Sequence, residues 1–357
     1  MMKIALDATP LIVASGGVRR YTEELSRALA ENFPEDEFWL LSDQPFSAPA
    51  PAPPNLSTGR GPRNAVERRW WLYGLNAELS RLGIDVFHGT DFAVPYLPAR
   101  PAVMTIHDLS PWMDPAWHSE WRRVRRRTPR LLRWRLATMV ITPSEAIKRQ
   151  AIDRFHLNPS CVVAVPLAAA RIFRPTAVLP KGRPYLLYVG TLEPRKNLGF
   201  LLDVWREVRR NHAVDLVFVG RRRSDFDGLL PEPGLHVKGL VLDEELPKLY
   251  SGALACLYPS CYEGFGLPVL EAMQCGAVVV ASRDPAIAEV AEDAAILLNV
   301  SERRAWVETL DSLIVQPGQF RTFRDKAIAR AAQFSWSKTA KLTREVYAKA
   351  AKLFRKG

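Results

Sequence analysis

The sequence predicts an α/β protein whose parallel sheets carry helices on both faces. Short apolar runs of strand length alternate with amphipathic helical stretches along the chain, which is typical of parallel sheets. The alternation restarts at residue 185, after a proline-rich segment. With 357 residues, of which 48% are hydrophobic, the chain can bury two cores of about 170 residues each.

The first half of the chain contains six predicted strands. An amphipathic helix over residues 19–30 separates the first two. The first apolar run contains Asp7 and is soon followed by Pro10, so it indicates a buried strand and not a signal peptide. No apolar stretch approaches the roughly 18 residues that span a bilayer. The strands are predicted at residues 3–7, 38–41, 86–89, 102–107, 139–142 and 162–165.

The second half contains five predicted strands, at residues 185–189, 216–220, 254–258, 278–281 and 296–298. Residues 174–184 hold three prolines and a glycine, a composition typical of an interdomain linker. We therefore predict domains over residues 1–174 and 175–336, followed by a long basic helix within residues 337–357. The proline- and alanine-rich segment 47–55 predicts an extended surface loop.

Two carboxylates flank a glycine-rich turn in the second half. Glu263 precedes the turn, and Glu271 lies within the helix that follows it. A helix N-terminus suits a phosphate or the oxygens of a sugar, and glycines let the backbone approach closely. Glu271 is placed to accept both vicinal hydroxyls of a ribose, and Glu263 to bind a second polyol. The alternative is a solvated glutamate and one that balances the helix dipole. The turn is Gly264-Phe265-Gly266-Leu267-Pro268.

Two adjacent cations follow another predicted strand. The strand ends at Gly190, and Arg195 and Lys196 come before an amphipathic helix. Arg195 offers a planar fork to phosphate oxygens and Lys196 a point charge, so the pair can neutralise a diphosphate without a metal. Such contacts strengthen as negative charge grows on a leaving diphosphate. A solvated pair is the alternative, weakened because cations in a first helical turn oppose the helix dipole.

Together these motifs resemble glycosyltransferase family 4, and the resemblance extends over nearly the whole chain. The chain is similar to bacterial members that add mannose or related hexoses to polysaccharides, such as O-antigen and lipopolysaccharide, and to lipid-linked glycans. The resemblance implies the GT-B architecture: two Rossmann-like domains facing across a cleft, with the terminal helix crossing back to the first. It rests on Gly16-Gly17-Val18-Arg19-Arg20-Tyr21, His107-Asp108-Leu109, Val189-Gly190-Thr191 through Arg195-Lys196-Asn197, and Glu263-Gly264-Phe265-Gly266 through Glu271.

The resemblance also implies roles for further residues. Gly16 and Gly17 would let a loop close on the diphosphate, although Arg19 stands where the family often has a glycine. His107 would face the transferred sugar through its carbonyl or its imidazole, unless it is a satisfied strand-end histidine beside a capping Asp108. The segment that begins at Leu240 would bind the nucleotide base through its backbone, and the backbone of residues 265–267 would bind the sugar.

The resemblance implies transfer that retains the anomeric configuration and needs no metal or other cofactor. Four cysteines lack paired spacing, so we predict free thiols and no zinc site. Asp225-Phe226-Asp227 is a literal Asp-x-Asp, but it follows three arginines in a predicted loop and is better interpreted as solvated.

The net charge of +11 is concentrated in one stretch. Residues 121–135 contain eight arginines and no acids, interleaved with tryptophans and leucines, and Arg68-Arg69-Trp70-Trp71 is a second such patch. This composition favours a helix on an anionic membrane surface. We expect a cytoplasmic protein at the inner face of the membrane. A solvated helix is the alternative; nucleic acid fits the charge but leaves Glu263 and Glu271 without a role.

These observations predict a retaining hexosyltransferase. Its donor would be a nucleoside-diphosphate sugar, with GDP-mannose favoured over a UDP-hexose, and its acceptor a glycan or polyprenyl-linked oligosaccharide. Two alternatives remain open on the same fold: a sugar-nucleotide epimerase, and a noncatalytic sugar-nucleotide sensor or membrane scaffold.

Overall fold

The computed structural model describes residues 1–13, 16–114, 117, 121–177, 182–223, 226 and 230–354. The chain divides into two compact units. Unit 1 comprises Met1–Leu167 and Ser335–Gly357, and unit 2 comprises Ala168–Phe334. Each contains one parallel sheet with helices, which confirms the predicted α/β class.

The strands follow one another in chain order. Those of unit 1 are β1 (Lys3–Asp7), β2 (Glu37–Leu41), β3 (Leu56–Thr58), β4 (Val86–Gly89), β5 (Ala102–Thr105), β6 (Met139–Thr142) and β7 (Val162–Ala164). Those of unit 2 are β8 (Tyr185–Val189), β9 (Asp215–Val219), β10 (Leu235–Val237), β11 (Ala255–Tyr258), β12 (Val279–Ser282) and β13 (Ile296–Leu298). The sheet orders are β3-β2-β1-β4-β5-β6-β7 and β10-β9-β8-β11-β12-β13, with every pairing parallel.

The helices connect the parallel strands and cover the sheets. Unit 1 has α1 (Gly17–Asn32), α2 (Leu75–Leu82), α3 (Arg122–Arg133) and α4 (Glu145–Phe155). Unit 2 has α5 (Leu198–Val208), α6 (Leu246–Gly252), α7 (Leu267–Gln274), α8 (Pro285–Ala291), α9 (Arg303–Val315) and α10 (Arg321–Ala331). The terminal helix is α11 (Trp336–Phe354).

Helix α11 belongs to unit 1, where it packs against α1. Tyr347 on α11 is buried, and its hydroxyl lies 2.7 Å from Nδ1 of the buried His88 on β4. Trp336 is also buried and lies beside the ring of Tyr21 on α1. Helix α11 therefore completes the core that α1 and β4 line.

The two units divide at positions that differ from the predicted boundaries. The structure divides the chain at Leu167/Ala168 and Phe334/Ser335, whereas the sequence suggested 174/175 and 336/337. The first difference arises because residues 168–174 attach to unit 2. The side-chain amide of Gln274 donates to the carbonyl of Ala170 (3.2 Å) and to that of Phe173 (2.7 Å). Of the predicted linker, residues 178–181 lie outside the described part of the chain.

Several predicted elements differ in extent. The strand predicted at 102–107 ends at Thr105, so His107 lies beyond the carboxyl end of β5. The sequence missed β3 and β10, which are three-residue strands at the edges of their sheets. Residues 47–55 form neither helix nor strand, as predicted. No helix within the described residues is long and apolar enough to cross a membrane.

Candidate active site

The carboxyl edge of the unit 2 sheet begins at two glycine turns. Gly190 follows β8 with φ +155°, and Gly220 follows β9 with φ +141°. A Cβ on Gly220 would lie 2.0 Å from the carbonyl oxygen of Gly190. Only glycine allows the two turns to approach so closely. The close approach fixes the start of the segment that carries the cationic pair.

Arg195 and Lys196 lie in a short 3₁₀ turn, Pro194–Lys196, between β8 and α5. The turn ends at Asn197, whose φ of 56° is left-handed, and α5 begins at the next residue. Lys196 is only 8% exposed. The alternative of a solvated pair in the first turn of a helix is therefore wrong.

The two cations form an ion-paired network with Glu263. The ammonium of Lys196 lies 2.6 Å from Oε1 of Glu263, and the guanidinium of Arg195 lies 3.3 Å from its Oε2. Arg195 also pairs with Glu193 at 2.8 Å, and Glu193 pairs with Arg223 at 3.2 Å. These contacts join three cations, Arg195, Lys196 and Arg223, to two carboxylates. Such a network favours an added anion.

Backbone contacts hold the network in place. Arg195 donates to the carbonyl of Tyr262 (2.9 Å), and its own carbonyl accepts from the N–H of Cys261 (2.9 Å). The N–H of Glu263 donates to Oδ2 of Asp284 at 3.1 Å. The other carboxylate oxygen of Asp284 caps α8 by accepting two of its first N–H groups. The loop after β8, the loop after β11 and the start of α8 are thereby joined.

The electrostatics of the two acidic residues differ. Burial alone would raise the pKa of Glu263, but the charges of Lys196 and Arg195, together with hydrogen bonds, lower it below its usual value. The pKa of Asp284 is raised to about 6, first by burial and then by the nearby charge of Glu263, against the backbone hydrogen bonds that it accepts. Glu263 is therefore a carboxylate at neutral pH, as the ion pairs require.

The glycine-rich turn leads into α7 as predicted from the sequence. Gly266 immediately precedes α7 with φ +92°, a left-handed conformation that favours glycine. The Phe265 side chain is buried against Phe334, so its backbone is the part that a ligand can reach. Glu271 lies inside α7, is 4% exposed, and accepts from the hydroxyl of Tyr250 at 3.0 Å. The solvated-face alternative does not apply to Glu271.

The other predicted site residues in unit 2 are more dispersed. Leu240 follows β10 and is 58% exposed, in keeping with a segment that would offer its backbone. Sequence reasoning assigned no role to Glu193, Arg223, Asp284 or Tyr250. The only signal for Glu193 is that it stands two residues before Arg195.

Gly16, Gly17 and His107 lie in unit 1 and so belong to a different compact unit from Arg195 and Glu263. Gly16 precedes α1 with φ +133°, and α1 begins at Gly17. Nε2 of His107 lies 2.7 Å from the carbonyl of Thr90, so Nε2 must carry the proton and Nδ1 is left as an acceptor. Burial lowers the pKa of His107, which favours this neutral form.

His107 and its neighbour are both held by local contacts. The rings of Tyr21 and Phe92 contact the imidazole edge-on. Oδ1 of Asp108 accepts from both the N–H and the hydroxyl of Ser110, at the start of a short 3₁₀ helix. Asp108 therefore holds the first residue of this helix, but the cap position itself is occupied by Leu109, which makes no side-chain cap hydrogen bond.

The structure locates all four cysteines and many of the side chains that could bind a metal ion. The described residues contain no group of three or more His, Cys, Asp or Glu side chains placed to hold a metal ion. Asp225 and Asp227, the predicted solvated pair, lie outside the residues that the structure describes. All four cysteines are free thiols, as predicted, and Cys256 and Cys275 are buried.

The chain matches known protein families and has relatives in sequence. The family model "Glycosyltransferase Family 4" matches residues 15–169, and "Glycosyl transferases group 1" matches residues 183–316. The chain is 32% identical to O-antigen chain mannosyltransferase B of Escherichia coli, over 97% of this chain and 99% of that protein.

Solved structures share the fold along nearly the whole chain. A sucrose-phosphate synthase from Thermosynechococcus elongatus covers 100% of both chains with a TM-score of 0.77 and 21% identity. Anabaena HepE in complex with UDP and glucose covers 98% of this chain and 100% of its own, with a TM-score of 0.71 and 18% identity. The sequence matches and the shared fold together show that the chain is a member of glycosyltransferase family 4.

Proposed function

We propose that this glycosyltransferase moves mannose from GDP-mannose to a glycan or polyprenyl-linked oligosaccharide during the synthesis of a surface polysaccharide. The observation that carries the proposal is the buried network of Arg195, Lys196 and Glu263 at the carboxyl edge of the unit 2 sheet. Mannose is favoured because the relative that matches end to end is an O-antigen mannosyltransferase.

Arg195 and Lys196 bind the diphosphate of the donor in this proposal. The network brings three cations together, and the ammonium of Lys196 is held by Glu263 before the donor arrives. Negative charge grows on the diphosphate as the glycosidic bond breaks, and preorganised cations stabilise it without reorganisation. The cations supply this stabilisation without a metal ion.

Glu271 and Glu263 position the two sugars of the donor. Glu271 is buried and held by Tyr250, so its carboxylate has a fixed orientation for the ribose hydroxyls. Glu263 stays ionised beside Lys196 and accepts hydrogen bonds from hydroxyls of the transferred hexose. The backbone from Gly264 to Leu267 also binds this hexose. The transferred hexose keeps its anomeric configuration. We assign Nδ1 of His107 the role of accepting a hydrogen bond from a sugar hydroxyl, because Nε2 already donates to the carbonyl of Thr90.

A transfer assay tests the function directly. The purified chain is incubated with labelled GDP-mannose, UDP-glucose or UDP-galactose, a polyprenyl-diphosphate oligosaccharide and a chelator. We expect a mannosylated lipid product from GDP-mannose alone, with its linkage configuration read by NMR. Interconversion of the donor without a lipid product would instead identify an epimerase, and tight binding with neither product a sensor.

The same proposal includes a membrane-facing surface on α3. Arg122, Arg126 and Arg130 are exposed, and within the described residues their side chains have no hydrogen-bond or ion-pair partner. With Trp134, which is 64% exposed, they border a cavity of about 770 Å³. Arginines beside an exposed aromatic ring suit the anionic headgroups of a membrane.

Liposome binding tests the membrane surface. We expect Arg122→Glu with Arg126→Glu to abolish sedimentation with vesicles that contain anionic lipid, because each cation near the surface contributes about 1 kcal/mol. The control is Arg304→Glu with Arg321→Glu, which changes the charge equally at exposed positions of unit 2. Binding that is unchanged in the α3 variant, or lost equally in both, would reject this surface.

A further inference from the structure

Glu193 is a buried carboxylate that has no role in the reaction described above. It stands two residues before Arg195, in the segment that follows β8, and is only 5% exposed. A negative charge beside a diphosphate site repels the ligand, and the repulsion is stronger where water is excluded. Glu193 therefore lowers the affinity for the donor unless the carboxylate serves the site in another way.

Glu193 holds one edge of the Arg195 guanidinium. Its Oε1 lies 3.0 Å from Nε of Arg195 and 2.8 Å from Nη2. Nη1 of Arg195 donates to the carbonyl of Tyr262 at 2.9 Å and to Oε2 of Glu263 at 3.3 Å. The last distance is long for a charge-assisted hydrogen bond, which usually measures about 2.7–2.9 Å. The edge beside Glu193 is therefore held closely, and the edge near Glu263 is the one that a ligand oxygen can approach.

Arg223 holds Glu193 from the opposite side. Nη1 of Arg223 lies 3.2 Å from Oε2 of Glu193, whereas Arg195 contacts Oε1. Counting side-chain atoms alone, Arg223 is 11% exposed and Glu193 is 7% exposed. A carboxylate has two acceptor oxygens, and here each of them receives a guanidinium. The Glu193 side chain thus forms a bridge between two cations that come from different loops.

The backbone sets the position of Arg223. The loop after β9, which carries Arg223, pairs with the loop after β8 through a parallel bridge between Leu192 and Arg222. The N–H of Leu192 donates to the carbonyl of Arg221 (2.9 Å), and the N–H of Arg223 donates to the carbonyl of Leu192 (3.2 Å). Leu192 is fully buried and immediately precedes Glu193. The two loops are therefore joined next to the ion-paired side chains.

We propose that Glu193 and Arg223 are positioning residues for the donor diphosphate: Arg223 orients Glu193, and Glu193 orients Arg195. This inference rests on the proposed function, in which Arg195 binds the diphosphate. A planar guanidinium matches phosphate oxygens only in the correct orientation, and a group that is oriented in advance loses less free energy on binding. The orientation of Arg195 outweighs the repulsion between the Glu193 charge and the ligand.

Charge and orientation have opposite effects when Glu193 is replaced by glutamine. Glu193→Gln removes a negative charge, so electrostatics alone would strengthen the binding of a diphosphate. Glutamine keeps the shape of the side chain, but it has one acceptor oxygen and a donating NH₂ group. It cannot bridge Arg195 and Arg223, so the loss of orientation weakens the binding. The sign of the change in affinity therefore decides between the two effects.

Calorimetric titration of GDP and GMP, with UDP and UMP in parallel and chelator present, tests the proposal. We expect the wild type to prefer a diphosphate over its monophosphate, and Glu193→Gln to reduce this preference about 3- to 10-fold, the size of one ordinary hydrogen bond. The affinity for the monophosphate stays unchanged, which excludes a loss of folded protein as the cause. Glu308→Gln is the matched control, because it removes the same charge from an exposed pair with Arg304 in unit 2.

Glu193→Asp is a second variant that keeps the charge. The side chain is one methylene shorter and cannot span both guanidiniums, so we expect a similar loss of the preference, whereas charge alone predicts no change. This variant decides the question if Glu193→Gln does not fold. In the transfer assay, kcat should fall more than KM rises, because the negative charge on the diphosphate grows in the transition state.

A double-mutant cycle tests whether Arg223 acts through Glu193. Arg223→Met should reduce the preference for the diphosphate in the wild type, and reduce it less when Glu193 is already glutamine. Equal effects in the two backgrounds would overturn the role of Arg223.

The calorimetric results distinguish this inference from the proposed function. A wild type without a preference for either diphosphate would overturn both. A wild-type preference that is unchanged or increased in Glu193→Gln, that persists in Glu193→Asp, or that falls equally in Glu308→Gln would overturn the positioning role alone.

Discussion

Lys196 and Glu263 stand 67 residues apart in the chain, yet the ammonium of one lies 2.6 Å from the carboxylate of the other. Counting side-chain atoms alone, each side chain is only 11% exposed. A buried ion pair contributes little net stability, because the loss of hydration offsets the attraction. Its value here is orientation: the ammonium is held before any ligand binds. A site that is organised in advance loses less free energy when the donor is bound.

At the same scale, Lys196→Met should lower kcat by about 10²- to 10³-fold, the usual effect of removing one preorganised donor. The methionine keeps much of the length of the side chain, and Glu263 retains Arg195 as a partner. Circular dichroism should therefore show an unchanged fold. Lys248→Met, at an exposed position on α6, serves as the control and should keep full activity. Full activity in Lys196→Met would refute the diphosphate assignment.

Asp91 gives a second prediction for a single residue. Its pKa is raised from 3.8 to about 6 by burial, against the charge of Arg127 and together with that of Asp108. The folded protein therefore favours the protonated form, and the stability associated with it is lost as pH rises from about 4 through 6. Asp91→Asn should increase the free energy of unfolding at pH 7.5 by about 1–3 kcal/mol.

The matching measurement is urea unfolding at two pH values. At pH 3.5, where Asp91 is largely protonated in both the folded and unfolded wild type, the gain from Asp91→Asn should nearly disappear. His107, Asp7, Asp108 and Arg127 also lie near this site, so the comparison must be between wild type and variant at each pH. A variant that is less stable than wild type at pH 7.5 would contradict the account.

At the scale of elements, the N-terminus of α8 connects stability to the site. Asp284 caps this helix with one carboxylate oxygen and holds the N–H of Glu263 with the other. Asp284→Ala should lower the free energy of unfolding by about 1–2 kcal/mol, the usual effect of losing a cap. Asp284→Asn keeps a capping oxygen and should lose less. Equal losses in urea unfolding would show that capping is not what Asp284 contributes.

The strands and helices also show which parts of the fold could be predicted from the sequence. Long apolar runs such as residues 185–189 predict their strands, because a buried parallel strand must be apolar on both faces. The edge strand Leu56–Thr58 is three residues long and largely polar, so no periodicity could reveal it. The turn Gly264–Pro268 predicted the start of α7. A glycine in the left-handed conformation before a helix and a proline in its first turn depend only on the local sequence.

Contacts between distant segments were not predictable in this way. The pairs Glu193–Arg223 and Lys196–Glu263 join residues that are 30 and 67 positions apart. Neither pair has a local sequence signal, because each depends on how two loops or a loop and a helix come together in the fold. The sequence motifs predicted roles for Arg195 and Glu271 but could not predict the partners that hold them.

At the scale of the whole molecule, the chain ends in the unit where it began. Tyr347 on α11 is fully buried, and its hydroxyl satisfies His88 within unit 1. Tyr347→Ala should lower the stability of unit 1 by about 3–5 kcal/mol, the cost of truncating a buried aromatic side chain. It should leave unit 2, which spans Ala168–Phe334, unaffected.

Hydrogen exchange followed by mass spectrometry can check this division. In Tyr347→Ala, amides of β1, β4 and α1 should exchange faster, whereas those of β8, β11 and α5 should keep their protection. The control is Tyr347→Phe, which loses only the hydroxyl. Equal loss of protection in both units would show that they unfold as a single cooperative body.

The central claim is that Arg195 and Lys196 recognise the diphosphate of the donor, and a comparison of GDP with GMP by calorimetric titration tests it most directly. The account predicts that GDP binds the wild type about 10- to 100-fold more tightly than GMP, with chelator present. In Lys196→Met, the difference between the two nucleotides should largely disappear. Equal affinities for GDP and GMP in the wild type, or a preference that survives in the variant, would contradict the account.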